Sequence, residues 1–255
     1  MSDPFSRLAD PFLAHQGTLR GAVRYALVAR QLEELLPPPP ARIADVGGGA
    51  GPQAVPLARG GYEVTILDPS PTMLAEARRT LASEGEDVRR RVKLVRGEGE
   101  RTVEILGRGS FDAVLCLGVL MYLEDPRPMI EQLAAIGRPG ASVCVLAKNA
   151  SALALRSALE GRYKDALAAL DADRDLGGLG AVTRGDTLEG LSASFEEAGL
   201  RVVRWYGIRV FIDHLGNRPP GMDLPDILEL EWGASRKDPY RAVARLIHVI
   251  GQRRG

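Results

Sequence analysis

Apolar residues at Leu19, Val23, Ala26, Leu27, Leu32, Leu35 and Leu36 recur at helical spacing and predict a helix over residues 18–36. The four prolines at 37–40 end it, because proline lacks the amide proton a continuing helix needs. From there the period changes. Short apolar runs of strand length at Arg42–Val46, 63–67, Val92–Arg96, Phe111–Leu117 and 142–147 alternate with helical segments at 51–59, 71–84 and 129–136. Pro71 suits a first helical turn and Ser70 a cap. Arg138-Pro139-Gly140 reads as a turn, and the charge run Arg89-Arg90-Arg91 as a solvated loop with a phosphate contact as its minority role. This alternation predicts right-handed βαβ units around a parallel sheet. Beyond Asn149 the rhythm breaks. An Ala- and Leu-rich stretch at 150–171 predicts one or two helices, and Gly177, Gly178 and Gly180 a flexible connection. A helix at 187–198 and strands at 201–210 and 244–250 follow, the strands flanking a charged helix at 226–235. The expectation is an α/β fold: a doubly wound, mostly parallel seven-stranded sheet, helices on both faces, and a helical insertion lying as a lid over the carboxyl edge.

Length and composition narrow the picture without changing it. At 255 residues and 45% apolar, the chain is expected to be one domain over 1–255. Its parts would be a helical segment at 1–40, a cofactor-binding core at 41–149, the lid at 150–185 and the closing part of the sheet at 186–255. The formal charge is zero, so a nucleic-acid partner would need a local basic patch. Cys116 and Cys144 sit in apolar runs and read as buried thiols, so no metal site is expected. The first ten residues lack the apolar core of a signal peptide, and the apolar stretch at 113–123 is too short to span a bilayer. A soluble, cytoplasmic monomer or homodimer without membrane contact is the expectation.

The chemistry concentrates in Ile43-Ala44-Asp45-Val46-Gly47-Gly48-Gly49-Ala50-Gly51, followed by Asp68 at the tip of the next strand. The glycines allow a tight turn against a ligand, and Asp68 is placed to accept hydrogen bonds from ribose hydroxyls. Gly49-Ala50-Gly51-Pro52-Gln53-Ala54 also fits the G-x-G-x-x-A form of a nicotinamide or flavin dinucleotide site. Asp45 favours another ligand. A carboxylate just before the first glycine gains nothing from a pyrophosphate but attracts an α-ammonium and a sulfonium. The D-x-G-x-G-x-G pattern with its strand-end acid resembles the class I S-adenosylmethionine-dependent methyltransferases, Rossmann-like enzymes that release S-adenosylhomocysteine.

A narrower resemblance rests on Gly17-Thr18-Leu19-Arg20, Asn149-Ala150, Arg209-Val210-Phe211-Ile212-Asp213-His214, Glu229-Leu230-Glu231, Asp238-Pro239-Tyr240 and Ile247-His248-Val249. In order and spacing these are similar to the tRNA 5-carboxymethoxyuridine methyltransferase family, which esterifies the carboxylate of a modified wobble uridine. The resemblance implies that Arg20 reaches the cofactor carboxylate, that Gly47 and Gly48 line its methionine part, that Asp68 holds the ribose, and that Gly99 and Glu100 line the adenine region; Asp45, Gly49, Met73 and Leu117 complete the cofactor candidates. Leu117 stands where that family has a polar histidine. A tRNA partner follows from the resemblance, with a small-molecule acid, in a natural-product enzyme, as the alternative. A cofactor-binding module without turnover is a further alternative.

On the acceptor side, methyl transfer to a carboxylate needs no general base at neutral pH, which fits a chain with three histidines. Arg209 has the planar fork that grips a carboxylate or phosphate, and its other reading is an ion pair with Asp213 or Glu231. Tyr122 and Asn149, at the ends of the fourth and fifth strands, His214 and Tyr240 complete the candidate acceptor residues. His248, inside an apolar strand, reads as a satisfied core histidine.

Overall fold

The structure is a computed structural model that describes residues 9–177 and 180–255. It opens on α1 (Ala9–Gln16) and α2 (Leu19–Leu35), divided at Thr18, whose hydroxyl caps α2 by accepting the Gly21 amide proton at 3.1 Å. Strand β1 (Arg42–Val46) then enters the sheet. The glycine loop keeps turning through Gln53, so α3 (Ala54–Arg59) starts three residues later than its apolar pattern suggests. Strand β2 (Glu63–Asp68) leads to α4 (Pro71–Ala82), with Ser70 at its N-cap.

The arginine run is a correction. Arg89, Arg90 and Arg91 form the last turn of α5 (Glu86–Arg91), where Arg90 pairs with Glu86 at 3.0 Å and Asp87 at 2.5 Å. Acids in the first turn and bases in the last complement the helix dipole, which a loop reading misses. Strand β3 (Val92–Arg96), α6 (Thr102–Leu106), β4 (Phe111–Leu117) and α7 (Arg127–Ile136) follow. Strand β5 (Gly137–Lys148) starts before the expected turn: its register on β4 slips between Phe111 and Ala113, so Arg138-Pro139-Gly140 becomes an irregularity within the strand.

The insertion is not purely helical. After α8 (Leu153–Leu159) and α9 (Tyr163–Ala168) comes an antiparallel pair, β6 (Arg174–Leu176) and β7 (Val182–Arg184), which the glycine-rich sequence concealed. Gly178 lies outside the described residues. The chain closes with α10 (Leu188–Glu197), β8 (Leu200–Ile208), α11 (Leu224–Ala234) and β9 (Leu246–Arg253).

The seven strands lie in the order β3-β2-β1-β4-β5-β9-β8, all parallel except β9, which runs antiparallel to both neighbours. Helices α2, α3, α4 and α11 bury one face, and α6, α7 and α10 the other. Alternate residues serve each side: Ile43 packs under the first layer, Ala44 and Val46 under the second. Successive strands step one way from β1 to β3, then β4 returns to the far side of β1. The carboxyl ends of β1 and β4 thus diverge and leave a crevice. No described helix is long and apolar enough to cross a membrane.

Candidate functional site

The crevice is a cleft of about 880 Å³, its open mouth included, walled by residues from the ends of β1, β2 and β4 and by Phe12 of α1. Gly47 and Gly49 turn at φ 72° and 54°, left-handed conformations that favour glycine. A methyl group at Gly47 would overlap Val119, and one at Gly49 would lie 2.8 Å from the Met73 Cε. Asp68 fixes this turn: its Oδ2 accepts the Gly49 amide proton at 2.9 Å and its Oδ1 that of Ser70, also at 2.9 Å. Met73, Gly99, Glu100 and Leu117 line the same cleft, with Met129 and Leu123 adding apolar wall.

Asp45 lies under this floor, not on it. A Cβ at Gly48 would sit 2.6 Å from the Asp45 Oδ2, so only glycine leaves room for the carboxylate beneath the loop. Burial pushes the Asp45 carboxyl up to about 7, the neighbouring Asp68 adds to the rise, and the Arg24 guanidinium opposes it. Glycine turns, a strand-end carboxylate and an apolar slot fit the nucleoside of S-adenosylmethionine, and the buried Asp45 fits its cationic end.

A second cavity joins the first across Phe12, Gly118 and Tyr122. Arg20, Arg24, Lys148, Arg156, Arg209 and Arg245 line it, against one lining carboxylate among the described residues, Asp213. Arg24 donates to the Leu117 carbonyl at 2.8 Å and lies over Gly118, between the two cavities. Arg209 is buried and pairs through its Nε with Asp213 at 2.9 Å. Burial pulls the guanidinium down to about 10, Asp213 opposes that, and it stays charged at neutral pH. Lys148 and Arg245 share Asp175 of β6, the arginine at 2.5 Å. His15 lines the same wall, lowered to about 4 by burial and by the charges of Arg209, Arg24 and Arg20, so it is neutral at pH 7. Buried nitrogens at Arg20 Nε and Arg245 Nη1 have no hydrogen-bond partner among the described residues. Cations this crowded, with donors to spare, suit an anion.

The residues singled out from sequence divide three ways. Gly47, Gly49, Asp68, Met73, Gly99, Glu100, Leu117 and Tyr122 converge on the first cleft, and Arg209 on the second. Arg20 lines the second cavity, where it donates to Asn217. Three acceptor candidates lie outside both cavities. Asn149 lines neither cavity: its amide nitrogen donates to the Ala242 and Ala244 carbonyls at 2.9 and 2.8 Å and its oxygen accepts from Ser151, so it caps a chain turn. Tyr240 is exposed and packs on Phe211, with ring centroids 5.9 Å apart. His214 faces a smaller outer pocket beside Arg156, Arg209 and Arg245. His248 is fully buried against Gln31 at 2.7 Å. Sequence reading missed Phe12, His15, Arg24, Lys148 and Arg245. Only Arg24 carried a local signal, four residues after Arg20 on one helix face.

Residues 44–145 match a methyltransferase domain family. The tRNA 5-carboxymethoxyuridine methyltransferase of Escherichia coli O157:H7 is 28% identical across 98% of this chain and 95% of its own. The ubiquinone biosynthesis O-methyltransferase of Xanthomonas axonopodis pv. citri is 30% identical over 62% of this chain and 65% of its own. Among solved structures, an S-adenosylmethionine-dependent methyltransferase of Thermotoga maritima, a possible histamine N-methyltransferase, superimposes with a TM-score of 0.62 at 18% identity over 98% of both chains. The glycopeptide N-methyltransferase MtfA bound to S-adenosylmethionine gives 0.58 at 15% identity, covering 89% of this chain and 92% of its own. With these the dinucleotide alternative falls away.

Proposed function

Because the chain is a class I S-adenosylmethionine-dependent methyltransferase, we propose that it methylates a carboxylate oxygen, the acceptor being 5-carboxymethoxyuridine in tRNA. The carrying observation is the cation-walled cavity that opens into the cofactor cleft at Gly118 and Tyr122. The cofactor supplies a methyl carbon activated by its sulfonium. Asp68 takes the ribose hydroxyls, and Arg24 and Arg20 the cofactor carboxylate. Asp45, beneath the loop, ionises more readily beside a positive charge, so it favours the cationic cofactor over its neutral product. Arg209, with Arg245 behind it, holds the acceptor carboxylate and orients one oxygen toward the methyl group. Phe12 and Tyr122 exclude water from the junction. An ionised carboxylate has no proton to lose, so no residue of the cavity has to act as a base.

The 28% likeness over 98% of the chain supports the tRNA reading and, with it, a cytoplasmic reaction. A small-molecule acceptor, such as a carboxylic acid, is the second reading; the 30% likeness to a ubiquinone biosynthesis O-methyltransferase supports oxygen methylation of a small molecule. The test is methyl transfer from labelled S-adenosylmethionine to tRNA bearing 5-carboxymethoxyuridine, followed by nucleoside analysis. An alkali-labile methyl ester on that nucleoside is expected. Label confined to small acids, or stable to alkali, overturns the tRNA reading.

A further inference from the structure

Arg209 has φ 64°, the one non-glycine residue with positive φ among the described residues. That conformation is strained for a side chain with a Cβ, and it persists only where surrounding contacts impose it. The contacts come from Glu231 of α11. Its carboxylate is fully buried, and its two oxygens each accept one of the next two amide protons: Oε2 that of Val210 at 2.8 Å, Oε1 that of Phe211 at 2.9 Å. On the other side the Arg209 carbonyl accepts the Arg245 amide proton at 3.0 Å. The backbone of Arg209 is therefore held from α11 and from the segment entering β9. Its side chain is aimed into the cationic cavity against Asp213. A buried carboxylate on an apolar helix face is expensive unless it is hydrogen-bonded. Here it bonds two backbone amides and leaves the neighbouring guanidinium to Asp213, so it is not the ion-pair partner of Arg209.

We propose that Glu231 is a positioning residue for the acceptor: by clamping the Val210 and Phe211 amides it imposes the left-handed turn that points Arg209 at the acceptor carboxylate. The inference rests on the reading that Arg209 binds the acceptor. Glutamine offers one acceptor oxygen where two amides need two, so Glu231→Gln releases half of the clamp at nearly constant volume.

The experiment is a double-mutant cycle of Glu231→Gln and Arg209→Gln. It measures KM and kcat for tRNA bearing 5-carboxymethoxyuridine, with calorimetric affinity for S-adenosylhomocysteine and the thermal midpoint alongside. Glu231→Gln is expected to raise the acceptor KM about tenfold in the wild-type background and less than about twofold in the Arg209→Gln background, with cofactor affinity unchanged. Equal effects in both backgrounds, or none in the wild type, overturn the positioning role while leaving the acceptor reading intact. A wild-type acceptor KM in Arg209→Gln alone overturns the acceptor reading and the positioning role with it. If Glu231→Gln does not fold, Glu231→Asp, which keeps both oxygens but withdraws them by one methylene, is placed in the same cycle with the same criteria.

Discussion

At the scale of single residues, two carboxylates divide the cofactor site. Asp68 lines the cleft and also ties the glycine loop through Gly49 and Ser70. Asp68→Ala should therefore weaken S-adenosylhomocysteine binding by about 1–3 kcal/mol, read by calorimetry, and an unchanged affinity would remove it from the ribose position. Asp45 is buried beneath Gly48 and raised from 3.8 to about 7. Well below pH 3.8 it is protonated in folded and unfolded chains alike and carries no penalty. As pH climbs toward 7 the unfolded chain ionises while the folded one resists, so this group lowers stability across that window and adds no further slope above it. Asp45→Asn should thus gain stability over the wild type, on the order of a few kcal/mol, between pH 5 and pH 8 without ligand. Urea unfolding at the two pH values measures it, and a constant difference would mean Asp45 does not titrate there. Both acids were legible in the sequence, since a glycine loop and a strand-end acid are local patterns. The depth of Asp45 was not, because only packing of the loop over β1 decides whether a carboxylate faces the cleft or lies under it.

Among the elements, the insertion at 150–185 departs furthest from its pattern. Its Ala and Leu content predicted helices, and α8 and α9 are there, but Gly177 and Gly180 lie in the connection between two paired strands, so the segment is a hairpin. Asp175 on β6 reaches both Lys148 at the end of β5 and Arg245 ahead of β9. Lys148 is 4% exposed, so its ammonium relies on that carboxylate and on Thr183 of β7. Asp175→Ala leaves two buried cations without their shared partner and should destabilise the protein by about 3 kcal/mol, at the low end for a broken buried pair because Asp175 is partly exposed. Denaturant titration tests this, and a loss within about 0.5 kcal/mol would show that solvent takes over the role of Asp175. Short strands of polar residues have too weak an apolar alternation to register in the sequence. Charge pairing across the fold defines this hairpin instead.

For the molecule as a whole, the sheet assigns its basic residues to opposite edges. Cofactor and acceptor cavities open at the carboxyl ends of the parallel strands, whereas Arg90 and Arg91 sit with Arg42 and Lys93 at the amino ends. Replacing Arg89, Arg90 and Arg91 together by alanine should change the acceptor KM for tRNA by less than about twofold, because helix-internal ion pairs already occupy Arg90 and the run faces away from the site. A tenfold rise would mean tRNA wraps both edges, and would appear as a shallower salt dependence in the variant. By itself the sequence determined the succession of the seven sheet strands and the main helices between them, the glycine loop with its two acids, and Arg209 as the acceptor candidate, since each depends on neighbours a few residues away. Tertiary structure alone decided that Phe12 and His15, Arg24, Lys148 and Arg245 meet Arg209 around one cavity, and that Asn149 and Tyr240 do not. The physical reason is that an anion-binding cavity is a sum of charges brought from distant points of the chain, and only sheet order and packing set which of those charges share a low-dielectric space.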